Sequence, residues 1–528
     1  MASAASSKSI SHRETSILII AIFIAGLCSI VYELLISTVS SYFLGDTIKQ
    51  FSLTIGLYMA AMGAGAYLSR FVSADLIRNF IVLEIVLACL GGASVPLLYL
   101  CYSVAPETYT PFMICLVLAI GGCIGFEIPL LTRILERYYT LKVNISNVLG
   151  IDYFGALIAT LVFPFILLPF VGNFRSSLIF GIINLGLAAI VLHGFGKETT
   201  QAARTSLRVG LAAAGVLLVG LLAFSTQLTR VWSQSLYADE IIYRKQSPYQ
   251  EIVLTRYRDD FRLFLNGNLQ FSSRDEYRYH ETLVHAPIAF SDELPKSVLV
   301  LGGGDGLAVR ELLKYSSIDT ITVVDIDPAV VALARQNPLI SDLNDGAFDA
   351  PQVTVVHADA FRFLTEGTDR YDLIIADLPD PSTIPIARLY SREFFQLIKK
   401  RLHNEGLFIT QSTSPYFAPK AFWCINTTLA DAGFPEVIPL HTYIPSFGEW
   451  GFNIAAKAKT MSEFPEVKAP TRFLDESTVS TLFAFAPDLR PDFKRYETPS
   501  SRSVTIKTST LDDPELLYYY LKSAKNWR

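Results

Sequence analysis

The sequence predicts a chain of two unlike halves. A polytopic α-helical membrane domain of about seven spans comes first. A small β-domain and an α/β domain built on a parallel sheet follow. Three observations predict this: an uneven split of charge, long apolar runs confined to the first part, and strands alternating with helices in the second. Hydrophobic residues make up 51% of the 528 and charged residues 18%, against about 25% charged in an average soluble domain. Residues 1–225 hold 12 Lys+Arg and 10 Asp+Glu; residues 226–528 hold 32 and 39. This composition excludes a disordered chain and argues against a purely soluble enzyme. The net charge of −5 and the lack of a basic stripe give no reason to expect a nucleic-acid partner. The acidic excess of the second part suits a cationic substrate. The boundaries read as 1–228 for the membrane domain, 229–290 for the β-domain, 291–495 for the α/β domain and 496–528 for a C-terminal extension.

Apolar runs fall near 17–39, 51–69, 80–102, 112–131, 146–170, 176–194 and 208–225. Each is long enough to cross a hydrocarbon core of roughly 30 Å, so a multi-pass protein of the cell (inner) membrane, with the lipid bilayer as a partner, is expected. The first run lacks a signal-peptide cleavage site. Lys8, Arg13, Arg70, Arg78, Arg133, Arg137, Lys142, Lys197, Arg204 and Arg208 fall in alternate loops, and only Lys49 and Arg175 in the others. The positive-inside rule then puts the N-terminal tail in the cytoplasm. Seven spans place the second half outside; a seventh run lying only in the interface places it in the cytoplasm. Glu33, Glu84, Glu127 and Asp152 fall inside apolar runs, where a carboxylate faces either a polar pathway for a cation or an interface. Gly63–Ala66 and Gly121–Gly125 read as close helix packing. Five of the six cysteines lie in or beside apolar segments, and no CxxC or metal-type spacing occurs, so neither a disulfide framework nor a metal site is predicted.

From Tyr237 the pattern changes. EIIYRKQ, YQEIVLTRY, FRLFLNG and NLQF read as short strands broken by the hairpin signal Asn266-Gly267. A helix is expected at about 275–289. SVLVLG, ITVVDID, VTVVHADA and YDLIIAD then read as strands, with helices after Gly306 and Pro328. That alternation indicates a parallel sheet, whose ligands bind beyond the carboxyl ends of its strands. Asp305, Asp325, Asp359 and Asp377 all fall there.

The loop Gly302-Gly303-Gly304-Asp305-Gly306 lets the backbone approach a ligand closely. Asp325 follows at about 20 residues, the spacing of a carboxylate that holds ribose hydroxyls. Asp305 would repel a pyrophosphate, so an adenosyl ligand without phosphates, a sulfonium of the S-adenosylmethionine type, fits better than a dinucleotide. Asp359 reads either as a contact to the adenine amino group or as a loop cap. Asp377-Leu378-Pro379-Asp380-Pro381 sets two carboxylates three residues apart on a proline-framed turn, which reads as a cation site or as a turn whose Asp residues only bond backbone amides; the other carboxylates converging on this face favour the cation site.

The stretches YQEI (249–252), LNGNLQ (265–270), RDEYRYHETLVH (274–285), LGGGDGLAVRELLKY (301–315), VVDIDPAVV (323–331), HADAFRFL (357–364), DLIIADLPDP (372–381), LYSREFF (389–395) and WGF (450–452) resemble the spermidine synthase family of polyamine aminopropyltransferases. The resemblance covers about 237–490, and the hydrophobic half looks like that of membrane-bound members. It implies a Rossmann-like domain of the S-adenosylmethionine-methyltransferase type, a homodimer, and no cofactor beyond decarboxylated S-adenosylmethionine as co-substrate. It implies aminopropyl transfer to a small-molecule amine, putrescine above all, giving spermidine and methylthioadenosine. By matched position, Gln250, Gln270, Gly302, Gly304, Asp305, Asp325 and Asp359 would bind the donor, with Asp305 on the aminopropyl ammonium. Asp377 would be the general base. Tyr279, His280, Asp380 and Gln411 would bind the acceptor. Asn266-Gly267 replaces the usual Asp-Gly, and 444–449 is shorter than the family's segment, with Phe447 near its usual Tyr. Both departures lie at the acceptor end.

Two other readings stand beside this one. A methyltransferase would set the methionine carboxylate against Asp305, at a cost of about 4 kcal/mol for like charges ~4 Å apart at an effective dielectric near 20. A polyamine transporter or sensor would use the soluble half only to bind ligand.

Overall fold

The computed structural model describes residues 12–45, 47–136, 141–291, 293–458, 466–491 and 506–527. The chain divides into two compact units, 1–238 and 239–528.

The described residues of the first unit form the helices α1 (His12–Leu44), α2 (Thr47–Leu68), α3 (Leu76–Gly92), α4 (Ser94–Val104), α5 (Tyr109–Leu135), α6 (Leu141–Val162), α7 (Asn173–Phe195), α8 (Gln201–Ala223) and α9 (Ser225–Leu236). Among the described residues, six helices are long and apolar enough to cross a membrane, seven if the bent pair α3–α4 counts as one span. The run expected at 80–102 is not one straight helix: it breaks at Ala93 and bends by 42°. Pro96 is the cause. It has no N–H for the Gly92 carbonyl and its ring crowds that turn, while Gly91-Gly92 yields easily.

Small residues bring α2 and α5 together. A Cβ on Gly65 would lie 2.0 Å from the Gly122 carbonyl oxygen, and one on Gly125 2.1 Å from that of Met62. Glu84 on α3 and Glu127 on α5 are buried, so Glu84 is not the solvated interfacial group that one reading allowed; Glu33 and Asp152 are half-buried.

The second unit opens with the antiparallel sheet β1 (Glu240–Gln246), β2 (Glu251–Tyr257), β3 (Asp260–Leu265) and β4 (Asn268–Ser272), in that order. Asn266 and Gly267, with φ of 50° and 77°, make the β3–β4 turn, as a two-residue hairpin of this twist requires. Helix α10 (Glu276–Ala289) leads into β5 (Ser297–Gly302), α11 (Leu307–Leu312), β6 (Thr320–Asp325), α12 (Pro328–Gln336), α13 (Pro338–Leu343), β7 (Val353–His357), α14 (Ala360–Glu366), β8 (Tyr371–Asp377), α15 (Ile384–Ala387), α16 (Arg392–Arg401), β9 (Leu402–Gln411), α17 (Pro419–Asp431), β10 (Glu436–Ile444), β11 (Gly448–Ala456), α18 (Glu476–Thr481) and α19 (Glu515–Trp527).

The seven strands from β5 on run in the order β10-β11-β9-β8-β5-β6-β7. Strands β7, β6, β5, β8 and β9 are mutually parallel, and β11 lies antiparallel to both β9 and β10. This is the expected Rossmann-like sheet. The chain runs outward from β5 through β6 to β7, then returns to β8 on the other side. That reversal opens a crevice beyond the carboxyl ends of β5 and β8. Two apolar layers cover the faces: one includes Val298, Val300 and Leu283, the other Leu299, Leu301 and Phe394. Strand residues facing alternate layers read as the near-continuous apolar runs of a sheet buried on both sides.

Candidate active site

Gly302 ends β5 and pairs in register with Asp377, the last residue of β8. Its φ of 82° is left-handed, and a Cβ there would sit 2.0 Å from the Asp377 carbonyl oxygen. A Cβ on Gly304 would sit 2.5 Å from Asp325 Oδ2. These two glycines thus let the loop lie directly on both carboxylate-bearing strand ends. Asp305 then turns into the crevice, its Oδ1 accepting from the Leu307 N–H at 3.0 Å.

His280, Asp305 and Asp377 each bring one polar atom within 4.8 Å of the others. The Tyr279 phenol donates to Asp377 Oδ1 at 2.7 Å. Asp305 and Asp377 are half-buried. Loss of water raises the Asp377 carboxyl above its usual range, against the pull of His280 and Tyr279. Desolvation raises Asp305 too, opposed by His280 and reinforced by Asp377. His280 moves the other way. Burial lowers it, but its hydrogen bond to Glu276 and the charges of Asp305, Glu276 and Asp377 more than offset that, bringing it up to about 9. The carboxylates of Asp305 and Asp377 offer acceptors to the N–H donors of an organic ammonium.

Helix α10 is fixed from several sides. Arg310 donates to both Glu276 oxygens, at 2.9 and 3.0 Å, and Glu276 Oε2 accepts from His280 Nδ1 at 2.9 Å. Buried Glu281 accepts the backbone N–H groups of Arg472, Phe473 and Leu474. Asp275 accepts from the Ser446 N–H at 2.6 Å and its hydroxyl at 2.8 Å. Tyr279 and His280 therefore point into the crevice from a helix with little freedom to shift.

Asp380 and Gln411 form the other end. Gln411 Nε2 donates to the Leu378 carbonyl at 2.7 Å and lies 3.4 Å from Asp380 Oδ1. The Tyr520 phenol donates to Asp380 Oδ2 at 2.9 Å. Desolvation lifts Asp380 to about 6, with Tyr520 and Gln411 pulling it down.

Asp325 lies beside the loop, raised to about 6 chiefly by desolvation; its Oδ1 accepts from the Asp327 N–H at 2.8 Å. Gln250 reaches this point through Asp327, whose Oδ2 accepts from Gln250 Nε2 at 3.1 Å and from the Ser247 hydroxyl at 2.7 Å. Asp359 caps α14 through the Arg362 N–H at 3.0 Å and pairs with Arg388. Gln270 is half-buried on β4 and donates to the Asn268 carbonyl of its own strand. The structure thus brings Gly302, Gly304, Asp305, Asp325, Asp377, Tyr279 and His280 to one crevice, with Asp380 and Gln411 along the turn after β8. It brings His280 within 4.8 Å of both Asp305 and Asp377. Sequence reasoning missed Glu276, Asp327, Tyr390 and Tyr520. Glu276, Asp327 and Tyr390, whose phenol lies 2.6 Å from Gln411 Nε2, fall inside the motifs given for the family resemblance and were within reach; Tyr520 had no local signal.

The spermine/spermidine synthase domain matches residues 276–468. Polyamine aminopropyltransferase 2 of Ralstonia nicotianae is 43% identical over 485 residues, which are 90% of this chain and 94% of that protein. The polyamine aminopropyltransferase of Leptospira interrogans is 41% identical over 508 residues, 95% and 97% of the two chains. A solved spermidine synthase in complex with the transition state analogue AdoDATO is similar at 26% sequence identity and a TM-score of 0.44, over 47% of this chain and 86% of that one. Likeness to such relatives over nearly the whole of both proteins shows that this chain belongs to the polyamine aminopropyltransferase family.

Proposed function

We propose that the chain moves the aminopropyl group of decarboxylated S-adenosylmethionine onto a diamine, putrescine first, giving spermidine and methylthioadenosine. The cluster of Asp305, Asp377 and His280 within 4.8 Å carries the proposal. It is a site for a donor arm that ends in ammonium, with a base at the adjoining strand end. Gly302 and Gly304 admit the arm, Asp305 takes its ammonium, and Asp325 with the Asp327–Gln250 pair stands where the ribose would lie.

The acceptor arrives as an alkylammonium of pKa about 10.4 and has no lone pair to attack with. Asp377 accepts one proton from it; desolvation favours the protonated carboxyl. The freed amine nitrogen attacks the methylene next to sulfur. As the new C–N bond forms, the C–S bond breaks and its electron pair stays on sulfur, leaving neutral methylthioadenosine. Tyr279 orients Asp377 through its 2.7 Å hydrogen bond. Asp380 holds the distal ammonium, so the attack line is set by both ends of the diamine. We further propose that the helical unit spans a lipid bilayer of the cell membrane.

Products of the purified full-length protein with decarboxylated S-adenosylmethionine and a panel of amines, read by mass spectrometry, test the reaction. Calorimetric titration tests the donor. Wild type should bind the decarboxylated nucleoside more than about tenfold tighter than S-adenosylmethionine, a difference of about 1.4 kcal/mol or more. Asp305→Asn should erode that preference. Equal or tighter binding of intact S-adenosylmethionine, with methylated product, would replace this reading by a methyltransferase.

A further inference from the structure

Asp380 is held by a residue outside the parallel-sheet fold. Tyr520 stands on α19, 140 residues further along the chain, beyond the synthase-domain match that ends at residue 468. The segment carrying it is firmly seated. Leu516 is buried in the apolar layer that contains Leu299 and Phe394, with Ile506, Tyr519 and Tyr520 packed against it. The Ser509 N–H donates to Thr428 Oγ1 at 3.0 Å, and the Ser509 carbonyl accepts from the Arg392 N–H at 2.9 Å.

Both oxygens of Asp380 therefore face neutral donors. Oδ2 accepts from Tyr520 at 2.9 Å, and Gln411 Nε2 lies 3.4 Å from Oδ1. Gln411 is itself pinned to the Leu378 carbonyl and to the Tyr390 phenol, 2.6 Å away. Neutral donors fix the direction of a carboxylate without cancelling its charge, so the full charge stays available to an incoming cation. The turn bearing Asp380 has Pro379 and Pro381 on either side, which restrict the backbone; the phenol restricts the side chain.

We propose that the C-terminal segment 506–527 completes the acceptor subsite, with Tyr520 as the positioning residue that aims the Asp380 carboxylate at the distal ammonium of the diamine. The segment thereby fixes how far from Asp377 that ammonium is held, and so which diamine length is preferred. The inference rests on the aminopropyl-transfer reading. The ionisable groups around Asp380 are the phenols of Tyr279, Tyr390 and Tyr520, with the Asp377 carboxyl alongside. Removing the Tyr520 hydroxyl takes away a donor that favours the ionised carboxylate, so Asp380 should then ionise at higher pH.

The test compares wild type, Tyr520→Phe and Tyr519→Phe as full-length proteins. Initial rates are measured with decarboxylated S-adenosylmethionine and 1,3-diaminopropane, putrescine or cadaverine across the neutral range of pH. Tyr520→Phe should raise the KM for the preferred diamine by about tenfold or more, the effect of losing one hydrogen bond to a charged group. The kcat and the KM for the donor should stay within about twofold. The acid limb of kcat/KM for the diamine should move to higher pH, and discrimination between diamine lengths should fall. Tyr519→Phe loses only a phenol that accepts from the Lys507 N–H at 3.4 Å and should behave as wild type, which separates positioning from docking of the helix. Aminopropyl transfer by wild type together with an unchanged acceptor KM, pH profile and length preference in Tyr520→Phe would overturn the inference while leaving the reaction standing. No aminopropyl product from wild type with any amine would overturn both.

Discussion

His280 carries a proton that a bound donor makes redundant. Burial lowers its pKa, but Glu276, Asp305 and Asp377 bring it up to about 9, so at pH 7.5 the free crevice holds an imidazolium among carboxylates. An aminopropyl ammonium placed on Asp305 supplies the same positive charge and repels the one on His280. Donor binding at pH 7.5 should therefore release protons and should tighten as pH rises towards 9, while the donor amine keeps its own charge. Calorimetry in two buffers of different ionisation enthalpy reads the release directly; proton uptake or no exchange would refute it. At Asp377 the expectation concerns rate. Asp377→Asn keeps the shape of the site and an acceptor for Tyr279 but has no base, so turnover should fall by about a hundredfold or more, with nucleoside affinity nearly intact. Turnover within about tenfold of wild type would remove Asp377 from the role of base.

The loop between β5 and α11 shows what a single methyl group would do to an element. Gly304→Ala sets a Cβ 2.5 Å from Asp325 Oδ2, so either the loop or the carboxylate must move. Donor affinity should fall by about tenfold or more while the sheet stays folded, which calorimetry and thermal unfolding together would show. Gly302→Ala adds a left-handed φ to a closer clash and should also lower stability, by about 1–3 kcal/mol. These elements were legible in the sequence because their signals are local. Four apolar strands each end in or just before an aspartate, and the glycines stand where the backbone must turn. The Asn266-Gly267 hairpin was legible for the same reason. The break between α3 and α4 was not read, although Gly-Gly and Pro96 both lie there, because hydropathy averaged over a span does not register a missing N–H. The tie between Asp327 and Gln250 joins residues 77 apart, and that between Tyr520 and Asp380 joins residues 140 apart. Pairings of that kind exist only once the chain has folded.

At the scale of the whole molecule, two units with unlike surfaces share one chain. The helical unit exposes large apolar side chains such as Phe165, Phe170 and Val216, a surface suited to lipid rather than water. It should stay with the membrane through alkaline carbonate washing and need detergent for release; recovery in the wash would remove the bilayer from the reading. The bend at Ala93 then becomes a matter of parity. Arg70 and Arg133 lie on either side of the stretch that holds α3, α4 and α5. If α3 and α4 turned back together, only α5 would cross between these arginines, and the basic loops would fall on opposite faces. Keeping them on one face requires the bent pair to cross; if α8 crosses as well, rather than lying in the interface, the count is seven, an odd number. An odd count puts the second unit on the face away from the N-terminal tail. A phosphatase reporter fused after Leu236 should then be active and a fluorescent one dark. The opposite result would mean an even count, with the catalytic crevice open to the same compartment as the tail.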